Sequence, residues 1–136
     1  MRISFGTRQK VRQLYESEPH KRGKDAGKRP GKTQRRIVRL MDTGNRILDV
    51  GCGSGYFAEL VQESGNYVVG VELSEHNVRV TPERGVEVCR YDLSEPFPFK
   101  DKSFDKAMFI SVAEHLFAPA FALREIHRCL KPGEGT

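Results

Sequence analysis

A glycine-rich turn is the part of this sequence whose residue types and spacing most clearly suit chemistry. Gly51, Gly53 and Gly55 stand at alternate positions in "RILDVGCGSGYF" (46–57), directly after an apolar run. Glycine permits a tight turn and lets a ligand come close to the backbone. A helix that starts at such a turn also directs free N–H groups toward the ligand. The motif therefore predicts a ligand site between a strand and a helix.

The spacing of the glycines limits which ligand can bind. Dinucleotide sites use G-x-G-x-x-G, which would require glycine where the chain has Tyr56, and a Walker loop requires Lys followed by Ser or Thr. The motif has neither pattern. A pyrophosphate site is therefore poorly supported. A NAD-dependent oxidoreductase, which would share the fold class, is disfavoured for the same reason.

Three acidic residues recur where predicted strands end. Asp49, Glu72 and Asp92 close the first, second and third strands. Ligands of parallel α/β sheets bind beyond the carboxyl ends of the strands. Three carboxyl groups there would repel a polyphosphate, and they suit a ligand with a ribose diol, an amino group and positive charge. One such acid is often only a turn residue, but three behind a glycine loop favour a binding site.

Strands and helices must alternate along the chain to bring these residues together. Strands are predicted at 46–51, 66–73, 86–93 and 104–112, and helices at 33–41, 54–65, 74–85 and 119–130. This alternation with short connections is typical of a parallel α/β sheet covered on both faces. Thr33 and Ser74 are expected to cap their helices, and Leu123, Ile126 and Leu130 to face inward from the last one.

The basic charge is concentrated at the N-terminus. The chain of 136 residues carries +5 overall, and residues 1–36 hold 12 Lys and Arg against 3 Asp and Glu. We divide it into a basic segment 1–32, with a helix at 5–19 followed by a flexible loop, and an α/β domain 33–136. Residues 1–36 are either a solvated tail or a nucleic-acid contact with salt-dependent affinity.

Cysteine content and hydropathy exclude other classes. Cys52, Cys89 and Cys129 lack C-x-x-C spacing, so neither a disulfide framework nor a metal site is expected, and each is interpreted as a small buried residue. No apolar run has membrane-spanning length and no signal-peptide pattern is present. We therefore expect a cytoplasmic protein with no membrane partner.

Taken in order, four motifs resemble the class I S-adenosylmethionine-dependent methyltransferases. They are "ILDVGCGSG" (47–55), "GVELS" (70–74), "YDLSEPFPFKDKSFDKAMFISVAEHL" (91–116) and "LREIHRCLKPGE" (123–134). The resemblance covers about residues 33–133. It implies a Rossmann-like three-layer fold with strand order 3-2-1-4, S-adenosylmethionine as cofactor, and methyl transfer to an acceptor that the sequence does not identify, with a small molecule favoured.

The resemblance also implies roles for individual residues. The loop Gly51–Gly55, including Cys52, would lie against the methionine part of the cofactor, and Asp49 would fix that loop or contact the amino group. Glu72 would accept from the ribose hydroxyls and Asp92 from the adenine amino group. The remaining implied cofactor-binding residues are Leu73, Leu93 beside the adenine ring, and Ile110 and Ser111 near the methionine moiety. Glu114 and His115 are candidate catalytic residues, with His115 a base or a structural residue.

The sequence departs from the family at its C-terminal end. The family turn "LKPG" leads into a fifth strand and a hairpin that complete a seven-stranded sheet, whereas this chain stops at "LKPGEGT". Strand four would then be an apolar edge. We interpret the chain as a truncated methyltransferase. The alternatives are association with a second copy or a partner chain that covers strand four, and a non-catalytic module that binds the cofactor or nucleic acid.

Overall fold

The computed structural model describes residues 30–110, 116 and 118–133. Its α-helices are α1 (Lys32–Met41), α2 (Tyr56–Glu63), α3 (Glu75–Val80) and α4 (Pro119–Cys129), with a 3₁₀ helix at Thr81–Arg84 directly after α3. Its strands are β1 (Arg46–Val50), β2 (Tyr67–Glu72), β3 (Glu87–Arg90) and β4 (Lys106–Met108). The predicted helix 5–19 and nearly all of the basic loop lie outside the described residues. In the described part of the chain, no helix is both long and apolar enough to cross a membrane.

The four described strands form one parallel sheet in the order β3-β2-β1-β4. β1 lies in the middle, with Leu48 opposite Val69 of β2 and opposite Ala107 of β4. Parallel strands need crossover connections. The helix α2 connects β1 to β2, and α3 lies in the connection from β2 to β3. The predicted fold class and strand order are therefore confirmed.

Neighbouring residues of the central strands supply two separate cores. Leu48 and Val69 belong to a cluster with Ala122, Ile126 and Cys129 of α4. Ile47 and Val68 belong to a second cluster with Ala58 and Val61 of α2, on which Ile37, Val38 and Met41 of α1 pack. Successive side chains of a strand point to opposite faces, so helices cover both faces and the molecule has three layers.

Two helix details differ from the prediction. α1 begins at Lys32 after Gly31 and has no side-chain cap, so Thr33 is not its capping residue. Leu123 is 53% exposed, whereas Ala122, Ile126 and Cys129 are the buried residues of α4. Those three are spaced i, i+4 and i+7, which defines the inward face, and Leu123 lies one residue off it. The Ser74 cap is confirmed, because its Oγ accepts from the Asn77 N–H at 3.4 Å.

Strand four is shorter than predicted. The ladder runs only from Lys106 to Met108. Phe104 instead forms an isolated parallel bridge with Leu130, the residue that follows α4. Of the cysteines, which are unpaired, Cys52 and Cys129 are buried as predicted, but Cys89 is only half-buried.

Candidate functional site

The glycine loop (residues 51–55) leaves β1 at the carboxyl edge of the sheet. Gly51, Gly53 and Gly55 all have positive φ, of 71°, 58° and 85°, which other residues rarely adopt. The backbone N–H groups of Gly51 and Cys52 donate to the carbonyl of Val71, at 2.8 and 3.2 Å. The turn is therefore fixed to β2 before it enters α2. A Cβ at Gly53 would meet nothing within 4 Å, so the backbone is open there.

Glu72 ties the glycine loop to the end of β2. Its side chain is fully buried, and its Oε2 accepts from the Gly53 N–H at 2.7 Å. Its Oε1 accepts from the N–H groups of Leu73 and Ser74, at 3.0 and 3.1 Å. Burial raises the pKa of Glu72, and these three donors oppose the rise. An ionised carboxylate has about four acceptor positions, so about one remains for a ligand.

Asp49 lies beside Glu72 on the neighbouring strand. It is 4% exposed. Burial, and then the negative charge of Glu72, raise the pKa of Asp49 from 3.8 to about 7. The pair therefore holds less than two full negative charges at neutral pH, and a cation bound nearby would favour ionisation of Asp49.

Asp92 follows β3 and has one satisfied and one unsatisfied oxygen. Its Oδ1 accepts from the backbone N–H and the hydroxyl of Ser94, at 2.9 and 2.6 Å. Its Oδ2 is buried without a hydrogen-bond partner among the described residues. An unpaired buried acceptor costs free energy unless a donor reaches it. Asp92 is thus the acid that most clearly calls for a donor from a ligand.

The apolar residues assigned to the cofactor contribute to packing in this structure. Leu73 and Leu93 are each 1% exposed, and Leu93 belongs to the core cluster that includes α4. Ile110 follows β4 and packs against the cluster on the α2 side. Burial, together with Asp49 and Glu72, raises the pKa of the Cys52 thiol, so this group stays protonated at neutral pH. Ser111, Glu114 and His115 lie outside the described residues.

Thr81 is a loop contact that the sequence analysis missed. It is fully buried. Its Oγ1 lies 3.0 Å from the Gly53 carbonyl oxygen and 2.7 Å from that of Asn77, and it donates its hydrogen between them. A Cβ at Gly55 would come within 2.7 Å of the Thr81 methyl group. The residue follows α3 and is separated from Gly53 by 28 positions in the sequence, so only the folded crossover brings it to the loop.

The close contact between Gly70 and Cys52 is a second feature that the sequence analysis missed. A Cβ at this position of β2 would lie 2.6 Å from the Cys52 Sγ and 2.9 Å from its Cβ. Cys52 therefore occupies the space that a side chain at position 70 would need. The only sequence signal was the glycine inside an otherwise apolar strand, which often marks a close approach of another backbone.

The three layers and this edge define a Rossmann-like α/β fold with a candidate ligand site at the carboxyl ends of its strands. A glycine loop follows the central strand, and buried carboxyl groups stand at the ends of three adjacent strands. The family model described as "Methyltransferase domain" matches residues 48–134. The chain belongs to this family, within the class I S-adenosylmethionine-dependent methyltransferases, as its motifs predict.

Individual relatives agree with this assignment. A ubiquinone biosynthesis O-methyltransferase of Ruegeria pomeroyi is 35% identical over 95 residues, which are 66% of this chain and 38% of that protein. A probable 18S rRNA (guanine-N(7))-methyltransferase of Dictyostelium discoideum is 39% identical over 75 residues, 54% of this chain and 26% of that protein. The crystal structure of an S-adenosylmethionine-dependent methyltransferase from Mesorhizobium loti has a TM-score of 0.64 at 30% identity, covering 76% of this chain and 51% of that one. The chain thus spans well under half the length of these curated relatives.

Proposed function

We propose that the carboxyl edge of the sheet binds S-adenosylmethionine and that this chain is the cofactor-binding part of a methyltransferase. The main support for the proposal is the Oδ2 atom of Asp92, a buried acceptor at this edge that receives no hydrogen bond from the described residues. The open backbone at Gly53 and the acidic pair Asp49 and Glu72 also fit a cationic nucleoside. The residues therefore fit the group that the family implies.

Each residue has a specific task in binding. Asp92 Oδ2 would accept from the adenine amino group, since Oδ1 is already satisfied by Ser94. Glu72 would accept from one ribose hydroxyl through its remaining acceptor position. If it accepts from both hydroxyls, the bond from the Gly53 N–H must break, so the glycine loop must move. Asp49 would ionise and face the positive charge of the methionine part.

The bound cofactor supplies a sulfonium-activated methyl group. The protein then has to hold that group in line with the acceptor and exclude water. The side chains of the three acids are buried, so water has little access to the carboxyl groups themselves. A base is needed only for an acceptor that must lose a proton. Glu114 and His115 stay predictions for that role, as does Ser111 for cofactor contact.

The acceptor and the partners are proposed more broadly. One relative is named for an rRNA guanine and another for ubiquinone biosynthesis, so both nucleic acid and small molecules stay open, with a small molecule favoured. A second copy or a partner strand beside β4, and a cytoplasmic location, also stay predictions. The competing function is a non-catalytic binding module.

Calorimetric titration with S-adenosylmethionine and with its demethylated product tests the proposal. We expect one site for each ligand. Asp92→Ala and Glu72→Ala should each weaken binding by about 1–3 kcal/mol, the usual cost of a lost hydrogen bond to a buried polar group. Glu63→Gln, at an exposed position of α2, is the matched control and should bind normally. Absence of both heat and thermal shift with either ligand contradicts the proposal.

A further inference from the structure

The outer face of α1 carries a row of cations. Lys32, Arg35, Arg36 and Arg39 are all exposed. Their spacing of i, i+3, i+4 and i+7 places them on one side of the helix. At 1.5 Å per residue the row is about 10 Å long. The helix sequence KTQRRIVRLM contains no acidic residue to offset these charges. We call these four residues the basic face of α1.

The opposite side of α1 is fixed to the body of the domain. Ile37, Val38 and Met41 pack against the cluster that includes Ile47 and Met108. The end of the helix is held as well. The Lys106 ammonium donates to the Leu40 carbonyl at 2.7 Å, and the Asn45 amide donates to that of Met41 at 2.9 Å. The basic face is therefore held outward by packing and cannot rotate toward the sheet.

We propose that the basic face of α1 docks the phosphate backbone of a nucleic acid. One strand of a duplex carries a charge about every 3.4 Å, so a row of about 10 Å spans about three consecutive phosphates. A line of exposed cations suits such a polyanion better than a single small anion, which needs groups that converge on one point. Residues 1–29 precede the helix and hold nine further Lys and Arg against three acids, so the charge continues along the chain.

An anionic membrane fits this helix less well. Helices that lie in a membrane interface bury an apolar face between the lipids. Of the apolar residues of α1, Ile37, Val38 and Met41 already pack against the sheet and only Leu40 is exposed, so no continuous apolar face is free to insert. Binding by charge alone, without insertion, is the mode typical of proteins that contact nucleic acid phosphates without reading sequence.

The test is fluorescence anisotropy of the full chain with a labelled 20-nucleotide RNA and with DNA of the same sequence, across a salt series. The variant Arg36→Gln/Arg39→Gln removes two charges from the basic face. Its matched control, Lys100→Gln/Arg124→Gln, removes two exposed charges elsewhere, and Arg124 lies on α4 against the other face of the sheet. Both variants have the same net charge.

We expect the α1 variant to lower the slope of log affinity against log salt by about 1.4, since each single-strand contact contributes about 0.7. With equal affinities at 1 M salt, this difference in slope makes the nucleic-acid affinity of the variant about 25-fold weaker than that of the wild type at 0.1 M salt. The control should stay near the wild type. Equal losses in the two variants, or binding of phosphatidylserine vesicles without binding of RNA or DNA, would overturn the proposal.

This inference does not depend on the cofactor site. The α1 variant should therefore keep the wild-type affinity for S-adenosylmethionine in the calorimeter, which also shows that it is folded. Failure of nucleic-acid docking and failure of cofactor binding are thus observed separately.

Discussion

Replacing Asp49 by Asn should stabilise the protein at alkaline pH, although it removes a residue assigned to the cofactor. The native carboxyl has a pKa of about 7, against 3.8 for an unhindered aspartate. Between these values the native state keeps a proton that the unfolded chain loses. Native stability must therefore fall as pH rises through this window. Asparagine does not titrate in this range, so the stability of the variant should not fall with pH for this reason.

The size of the effect follows from the two pKa values. Each tenfold change in proton affinity is worth about 1.4 kcal/mol. A rise from 3.8 to about 7 thus corresponds to about 4 kcal/mol once pH exceeds both values. Between pH 5 and pH 8 the free energy of unfolding of Asp49→Asn should gain about 3 kcal/mol on the wild type. Below about pH 4 this advantage should vanish.

Urea unfolding at a series of pH values measures this difference. Glu63→Gln, which neutralises an exposed carboxyl of α2, is the control and should run parallel to the wild type. Cofactor affinity of the wild type should meanwhile rise about tenfold from pH 6 to pH 8, as the ionised fraction of Asp49 increases. Parallel stability curves for Asp49→Asn and the wild type would refute the reasoning that burial raises this pKa.

Three further substitutions test the contacts around the loop and α4. Thr81→Val keeps the shape of the side chain but loses the donor to the Gly53 carbonyl. Its affinity for the cofactor should therefore fall about tenfold, which corresponds to about 1.4 kcal/mol. Thr81→Ser retains the hydroxyl and should bind the cofactor more tightly than Thr81→Val in the same titration. Gly70→Ala should cost about 1–3 kcal/mol by overpacking against Cys52, and urea unfolding should show partial recovery when Cys52→Gly is added. Arg128→Lys loses the fork that reaches two backbone carbonyls and two carboxylates and should lower the free energy of unfolding by about 2 kcal/mol; an unchanged melting temperature would contradict that role.

The sequence predicted the placement of the acids because parallel strands end at a common edge. Asp49, Glu72 and Asp92 each lie at or just beyond the end of a strand, so strand order brings them together. The glycine spacing likewise predicted the loop, since positive φ is needed at three positions. These features depend on local pattern and on topology, both of which the sequence carries directly.

Other features depend on the exact rotation and approach of the elements. Ile126 faces inward as predicted, but the phase of α4 places Ala122 there instead of Leu123, and a short helix leaves that phase poorly determined. Thr81 and Gly70 contact the glycine loop only after the β2–β3 crossover has folded. The hydrogen bond from the Gly53 N–H to Glu72 could not be predicted, because the sequence does not show which of several nearby acceptors a backbone N–H will bond to.

Amide resonances of the ¹⁵N-labelled chain, followed during titration with S-adenosylmethionine, test the central claim most directly. The cofactor should shift the amides of the glycine loop, with Gly53 among the largest changes because its N–H contacts Glu72, and the amides of Leu73 and Leu93 should follow. Resonances of α4 should move little. Shifts confined to other parts of the chain, or none at saturating ligand, would contradict binding at the carboxyl edge.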